Sequence, residues 1–332
     1  MKPLQVGLVA DPDMPTTLAL RLSDLEPPSE RHRPGWDIEV VTESFTVGCE
    51  DVDTAMERLG DEAGLHDWDL VVGLTERPLR DGDGRYLLVE ADPKRQRAVL
   101  SLPALGGFRM HARARDALRT LVDGMTDRSM HDEQRVALPR IGGRWRLLLG
   151  MVIANRPWLL VPGLKSALVA ALATGAVATI NSTVWLLADS MSWWRLVVAS
   201  FASITLVVAW LVIDGELWDR PDDGTSEARE RSRLYNTSTL VTLTAGVLIC
   251  YIALYVVNLA WAVFVLDPDL MGGYLNTSIG YGDIVVLAWF VASAATVGGG
   301  LGTGLESDEA IRAAAYSKRE EERRNELSRN RT

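Results

Sequence analysis

The chain has 332 residues and a net charge of −10, with 44 Asp and Glu against 34 Lys and Arg. Nucleic acid is excluded as a partner, because binding the phosphate backbone relies on a basic footprint. The mean hydropathy of +0.07 averages two unlike parts: charges mix with short apolar runs up to about Gly143, and Leu, Val, Ala, Ile and Trp dominate from Trp158 to Leu305.

Residues 1–143 read as a cytosolic α/β domain. Residues 1–145 carry 19 Lys and Arg against 26 Asp and Glu, so this part is itself acidic and does not suit a polyanionic partner. Lys2 leads into an apolar run that Asp11 and Asp13 end, which reads as a first strand and not as a secretory leader. Cys49 lies in this domain and Cys250 in the middle of an apolar span, so the two cannot share one bridge. A reduced, cytoplasmic setting follows.

In chain order, residues 5–10 read as a strand, 15–25 as a helix, 37–42 as a strand, 52–59 as a helix and 69–74 as a strand. Residues 86–90 and 98–102 add two strands, read as an antiparallel hairpin, and a helix over 109–125 closes the set. Alternation of strands and helices favours an open, mostly parallel sheet. Ligands of such sheets bind beyond the carboxyl ends of the strands, which singles out Asp11, Asp13 and Thr75 as candidate ligand-binding residues.

The loop after the first strand, ADPDMPTT, lacks the GxGxxG of a dinucleotide site. Its Asp11 and Asp13 resemble the Asp-x-Asp of haloacid-dehalogenase-like phosphatases, in which one carboxylate attacks phosphorus beside a metal. Thr16 stands one residue later than that pattern requires, and no downstream lysine and acidic pair follow, so Asp13 reads as a helix N-cap with Pro15 in the first turn. WDLVVGLTERPL followed by RAVLSLPALG resembles metzincin-like protease domains, but no metal helix accompanies it, and no proteolysis is implied. His32, His66, His111 and His131 are scattered without an HExxH, so no metal site is expected. Arg109, His111, Arg113, Arg115 and Arg119 make the closing helix basic, facing either anionic lipid or solvent.

Residues 144–165 join the two parts. The sequence WRLLLGMVIANRPWLLVPG is apolar but broken by Asn155, Arg156, Pro157 and Pro162, and it is read as an interfacial linker, with a plain helical linker as the alternative. Trp145 and Trp158 suit headgroup depth, and Arg144, Arg146 and Arg156 suit anionic lipid.

Stretches near 166–188, 193–213, 237–266 and 284–305 are long enough to cross a hydrocarbon core, which takes about 20 helical residues. They predict an all-α transmembrane four-helix bundle over 166–305, followed by a charged cytosolic tail over 306–332. Lys and Arg cluster before the first span, between the second and third, and after the fourth, which puts both termini in the cytoplasm of a plasma-membrane protein. Gly298 with Gly302, and Gly300 with Gly304, have GxxxG spacing and predict a helix-packing seam. Ala167, Ala171, Thr174, Gly175 and Ala178 of the first span are its candidate partner, within one chain or between copies. Asn181, Ser182, Thr183 and Asn258 are the polar interruptions, none of them ionisable, and interhelical hydrogen bonds are their expected role.

Before the fourth span, Thr277, Ser278, Ile279, Gly280, Tyr281, Gly282 and Asp283 resemble the selectivity filter of potassium channels. In that family stacked carbonyls replace the ion's water, and the resemblance would give Thr277, Ile279, Gly280, Tyr281, Gly282 and Asp283 that role. Against it, residues 267–276 hold Pro268 and Gly272-Gly273 where a pore helix belongs, and Asp283 runs straight into the next span. A polar external turn is the alternative. On the strength of WDLVVGLTERPL, SLPALG, RLLLGMVIANRPW, VPGLKSALVAALATGA and GLGTGLESDEA, the whole chain resembles a group of actinobacterial four-span membrane proteins with a cytosolic N-terminal α/β domain. That resemblance implies an architecture and no activity.

The expectation is an integral membrane protein, regulatory, sensory or scaffolding, whose cytosolic domain binds a partner or ligand. The alternatives are a potassium-channel-like or other transport protein and a membrane-bound enzyme using the Asp11/Asp13 loop. Membrane lipid, a second copy of the chain and a cytosolic protein are the expected partners, and no cofactor is named.

Overall fold

The computed structural model describes residues 3–25, 35–46, 51–126, 132–139, 142–221 and 225–300. The chain divides into two compact units between Ala154 and Asn155, so residues 144–154 go with the N-terminal unit.

The N-terminal unit is built on β1 (Leu4–Ala10), α1 (Met14–Leu22), β2 (Trp36–Thr42), α2 (Val52–Ala63), β3 (Leu70–Thr75), β4 (Leu79–Arg80), β5 (Tyr86–Asp92), β6 (Arg97–Ser101), α3 (Met110–Thr126), β7 (Gln134–Ala137) and α4 (Gly143–Ala154). The sheet order is β2-β1-β3-β6-β5-β4, with β7 also on β5. β2, β1, β3 and β6 run parallel. β5 runs antiparallel to β6, β4 and β7, so the expected hairpin of the last two strands is present.

The central strands LQVGLVA and LVVGLT are near-continuous apolar runs because helices cover both faces. Leu8, Leu74 and Leu100 face α1 and α3 through Leu18, Leu22 and Leu118. Val9, Val71 and Val99 face α2 through Leu59, with Phe45 beside them. Each fully buried leucine contributes about 1.5–3 kcal/mol of transfer free energy. Gly73 makes room for the Phe45 ring, which lies 2.7 Å from where a Cβ would stand. At the far edge Arg135 of β7 clamps Glu90 of β5 bidentately, Nε to Oε2 at 2.6 Å and Nη2 to Oε1 at 3.0 Å.

The second unit contains a 3₁₀ turn (Pro157–Leu159), α5 (Leu160–Gly163), α6 (Lys165–Thr179), α7 (Ser182–Asp189), α8 (Trp193–Asp214), α9 (Ser226–Val265), α10 (Pro268–Leu275) and α11 (Tyr281–Gly300). Three helices, Trp193–Asp214, Ala228–Val265 and Tyr281–Gly300, are long and apolar enough to span a membrane, and a fourth span is counted if the bent pair Gly143–Gly163 and Lys165–Thr179 is one. Phe201, Ile213 and Phe264 are exposed, as lipid-facing residues would be.

Three expectations are corrected here. The span expected over 166–188 is two helices, broken at Ile180 and Asn181. The break is stable because its backbone groups are satisfied: Asn181 Oδ1 accepts the Thr183 N–H at 2.9 Å, and the Trp185 indole donates to the Thr179 carbonyl at 2.7 Å. The stretch 267–276, read as unsuited to a pore helix, holds α10 (Pro268–Leu275). Asp267 caps it by accepting the Asp269 N–H, Pro268 opens it, Asn276 closes it at φ 53, and buried Met271 anchors it. These together outweigh about 1 kcal/mol for each of Gly272 and Gly273. The last span begins at Tyr281 and not at 284.

Among the described glycines of α11 the close contacts fall at Gly299 and Gly300. A Cβ on Gly299 would stand 2.7 Å from both the Ala167 carbonyl and the Ala171 Cβ, so Gly299 is where α11 meets α6. Gly298 has only Thr174 at 3.9 Å, and Gly300 meets Val207 of α8 at 2.6 Å. Gly302 and Gly304 lie outside the described residues. Close packing at Gly299 thus adds a contact point that the GxxxG spacing did not name.

Candidate functional site

β1 has β2 on one side and β3 on the other, so the strand order reverses between β1 and β3, the place where ligands of such sheets bind at the carboxyl ends. Asp11 directly follows β1, Thr46 comes shortly after β2, Thr75 ends β3 and Ser101 ends β6. All four are at most 1% exposed. Asp11 Oδ2 accepts from Thr46 Oγ1 at 2.5 Å and from Thr75 Oγ1 at 2.6 Å. The two hydroxyl oxygens are themselves 3.1 Å apart.

Arg77 extends this cluster. Its N–H donates to Thr75 Oγ1 at 3.0 Å, its guanidinium donates to the Thr46 carbonyl, and its own carbonyl accepts from Ser101 Oγ at 2.7 Å. Glu76 and Arg77 are buried beside it, at 1% and 3% exposure. An ionised carboxylate out of water is costly without donors, and the hydroxyls supply charge-assisted ones. The chemistry available is that of a fixed carboxylate, an acceptor for a cationic or hydrogen-bond-donating group.

Asp11 and Thr75 are therefore brought together. Asp13 is exposed at the N-cap position of α1 at φ 73, and its carbonyl accepts from the N–H and Oγ1 of Thr17. Sequence reading missed Thr46, Arg77 and Ser101. The only signal was their place at or shortly after strand ends, which becomes informative once the strand order is known.

Among the described residues no group of three or more His, Cys, Asp or Glu could hold a metal ion. His66 stacks on Trp68 with ring centroids 4.1 Å apart. His111 lies 3.5 Å from the Arg21 guanidinium, and burial together with that charge lowers its pKa below the usual 6.5. Cys49, His32 and His131 fall outside the described residues.

The filter-like segment runs from a loop into a helix. Thr277, Ile279 and Gly280 lie in the loop after α10, whereas Tyr281, Gly282 and Asp283 form the first turn of α11. Carbonyls in that turn point along the helix and are committed to its ladder. Asp283 Oδ2 reaches back to accept the Gly280 N–H at 2.8 Å, half of a capping box. Neither Gly280 nor Gly282 has a left-handed φ, and nothing lies within 4 Å of a Cβ added to either. The segment is a helix start.

Within the second unit, hydroxyl groups link α8, α9 and α11. Trp289 Nε1 donates to Ser200 Oγ at 2.7 Å, Ser200 Oγ is 2.9 Å from the Tyr251 hydroxyl, and that hydroxyl is 2.9 Å from Ser293 Oγ. Asn155 Nδ2 donates to Thr242 Oγ1 at 3.2 Å, and Asn258 packs against Gly175. These are interhelical ties of the kind that polar residues supply in lipid. An apolar recess of about 370 Å³, open space included, is lined by Leu164, Ala167, Val207, Val247, Cys250 and Leu254.

No protein-family model, curated protein or solved structure matches the chain.

Proposed function

We propose that the chain is a multi-pass membrane protein of regulatory or sensory type, whose N-terminal α/β unit binds a small ligand or partner group at the carboxyl end of its sheet. The observation that carries this reading is the Asp11 carboxylate held between the Thr46 and Thr75 hydroxyls at the point where the strand order reverses. Binding is favoured over turnover because Asp11 is immobilised by the Thr46 and Thr75 hydroxyls. The clusters of Lys and Arg before residue 166, over 220–233 and over 312–324 support cytoplasmic termini, with the α/β unit on the same side.

The test uses the full chain in lipid nanodiscs, with Mg2+, arginine and inorganic phosphate as probes. The first two suit a carboxylate acceptor, and phosphate is the control of opposite charge. A ligand at 100 times its Kd stabilises by about 2.7 kcal/mol. The expected result is a raised unfolding midpoint with a cationic probe, lost in Asp11→Asn and kept in Asp13→Asn. An equal rise in Asp11→Asn, or a rise with phosphate alone, overturns the assignment of the site.

A further inference from the structure

We propose that the corner around Gly106 is a binding site for the headgroup of an anionic phospholipid, with Arg113 and Arg146 holding the phosphate and Phe108, Trp145, Leu149 and Ile153 entering the acyl boundary. The site lies wholly in the N-terminal unit and is separate from the Asp11 site.

Close packing sets the face. α4 lies against the 3₁₀ turn Pro103–Leu105 through Gly150, where an added Cβ would stand 2.0 Å from the Pro103 carbonyl oxygen. Leu147 and Met151 are fully buried by that contact side of the helix. Trp145, Leu149 and Ile153, spaced by four, are therefore one outward stripe, at 70%, 44% and 37% exposure. Phe108, 78% exposed, extends the stripe, because the preceding Gly107 touches Ile153 Cγ1 at 2.8 Å from its Cβ position. Large rings and branched chains left in water on one side of a helix mark a surface with a partner.

The charges say what partner. Arg113 Nη1 and Arg146 Cγ lie 3.2 and 3.0 Å from the Cβ position of Gly106, so the two side chains flank one point on the backbone. Arg113 donates to the Leu105 carbonyl at 2.7 Å, which aims it there. Neither arginine has an acidic partner within salt-bridge distance among the described residues, and the buried Nε of Arg146 has no hydrogen-bond acceptor among them. Residues 103–120 and 142–154 together hold six arginines and a single acid, Asp116, in a unit that is otherwise acidic. Two adjacent guanidiniums with spare donors match a phosphate, and Gly106, at φ 84, leaves the approach free of a side chain.

A bilayer fits better than a soluble phosphoprotein because the occupant must satisfy both the arginines and the apolar stripe. Chain continuity favours it as well: α4 ends at Ala154, and α6, the first of the longer apolar helices of the second unit, opens at Lys165. Trp at headgroup depth beside Arg is the composition of an in-plane interfacial helix. Near an anionic surface each arginine is worth about a fivefold change in binding.

The test is hydrogen exchange on the full chain in nanodiscs of zwitterionic phosphatidylcholine with or without about a third phosphatidylglycerol. The expected result is slower exchange over 103–113 and 144–153 with phosphatidylglycerol, by roughly tenfold or more for two arginines. Arg113→Ala with Arg146→Ala should abolish that difference, Arg113→Lys with Arg146→Lys should keep most of it, and Trp145→Ser with Phe108→Ser should raise exchange in both lipids. Equal protection in the two lipids, or a difference that survives the double alanine variant, overturns the proposal. So does the same protection from inorganic phosphate in detergent, which would make the ligand a free anion. Unchanged exchange over 70–75 and 97–101 in each variant shows that the sheet is intact.

Discussion

Thr75 Oγ1 donates to Asp11 Oδ2 at 2.6 Å, joining the carboxyl ends of two parallel strands that are neighbours in the sheet and 64 residues apart in the chain. The same hydroxyl accepts the Arg77 N–H, so one oxygen serves both the carboxylate and the turn that leaves β3. Thr75→Val keeps shape but removes both bonds at a buried position. The expected cost is about 1–3 kcal/mol, the penalty for leaving buried polar groups unmatched. Chemical denaturation followed by far-UV circular dichroism measures it. Thr46→Val removes the other donor, and because the two act on one carboxylate the double variant should depart from additivity by more than about 0.5 kcal/mol.

The sequence made part of this legible. Apolar runs between helical segments are local signals, and they marked β1, β3 and the strand-end loops, hence Asp11 and Thr75. Thr46, Arg77 and Ser101 stayed hidden because their convergence depends on the order β2-β1-β3-β6, which is a non-local property. In the second unit, hydropathy could not separate α6 from α7, since both sides of Asn181 are apolar. The Asn-Ser-Thr run was the local sign, a side-chain cap competing with the helix ladder. Gly272-Gly273 argued against α10 by propensity, and caps with a buried Met271 overrode that weak preference.

His111 titrates below its usual 6.5 because burial and Arg21 both disfavour the cation. The unfolded chain therefore takes up a proton first as pH falls. The resulting stability is complete above about 6.5 and is lost on acidification through the folded value. Arg21→Ala removes one of the two causes and should raise the His111 pKa, with a shallower loss of stability between pH 7.5 and 5.5. An imidazole NMR titration together with unfolding midpoints at those two pH values checks both. No change in the His111 titration would show that Arg21 does not set it.

Gly299 and Gly298 are neighbours with opposite expectations. A methyl on Gly299 would meet the Ala167 carbonyl and the Ala171 Cβ at 2.7 Å, so Gly299→Ala should force α11 from α6 at a cost of about 1–3 kcal/mol. Gly298→Ala meets only Thr174 at 3.9 Å and should be neutral or slightly stabilising through helix propensity. Thermal unfolding of the two variants in detergent separates them. Equal midpoints would mean that the seam does not depend on this register.

The helix start at Tyr281 makes the sharpest claim, because a filter and a cap respond oppositely to the same change. Gly282 sits in the first turn of α11 with open space around its Cβ position and no left-handed φ, so Gly282→Ala should fold normally and stabilise the helix by up to about 1 kcal/mol. Asp283→Ala removes the acceptor for the Gly280 N–H and a favourable charge at the helix N-terminus. It should destabilise by about 0.5–2 kcal/mol. In a carbonyl filter the order would be reversed in severity, since a Cβ at the glycine would block the required backbone. Unfolding midpoints of the two variants in nanodiscs decide the matter: a Gly282→Ala chain less stable than Asp283→Ala would sink the capping account.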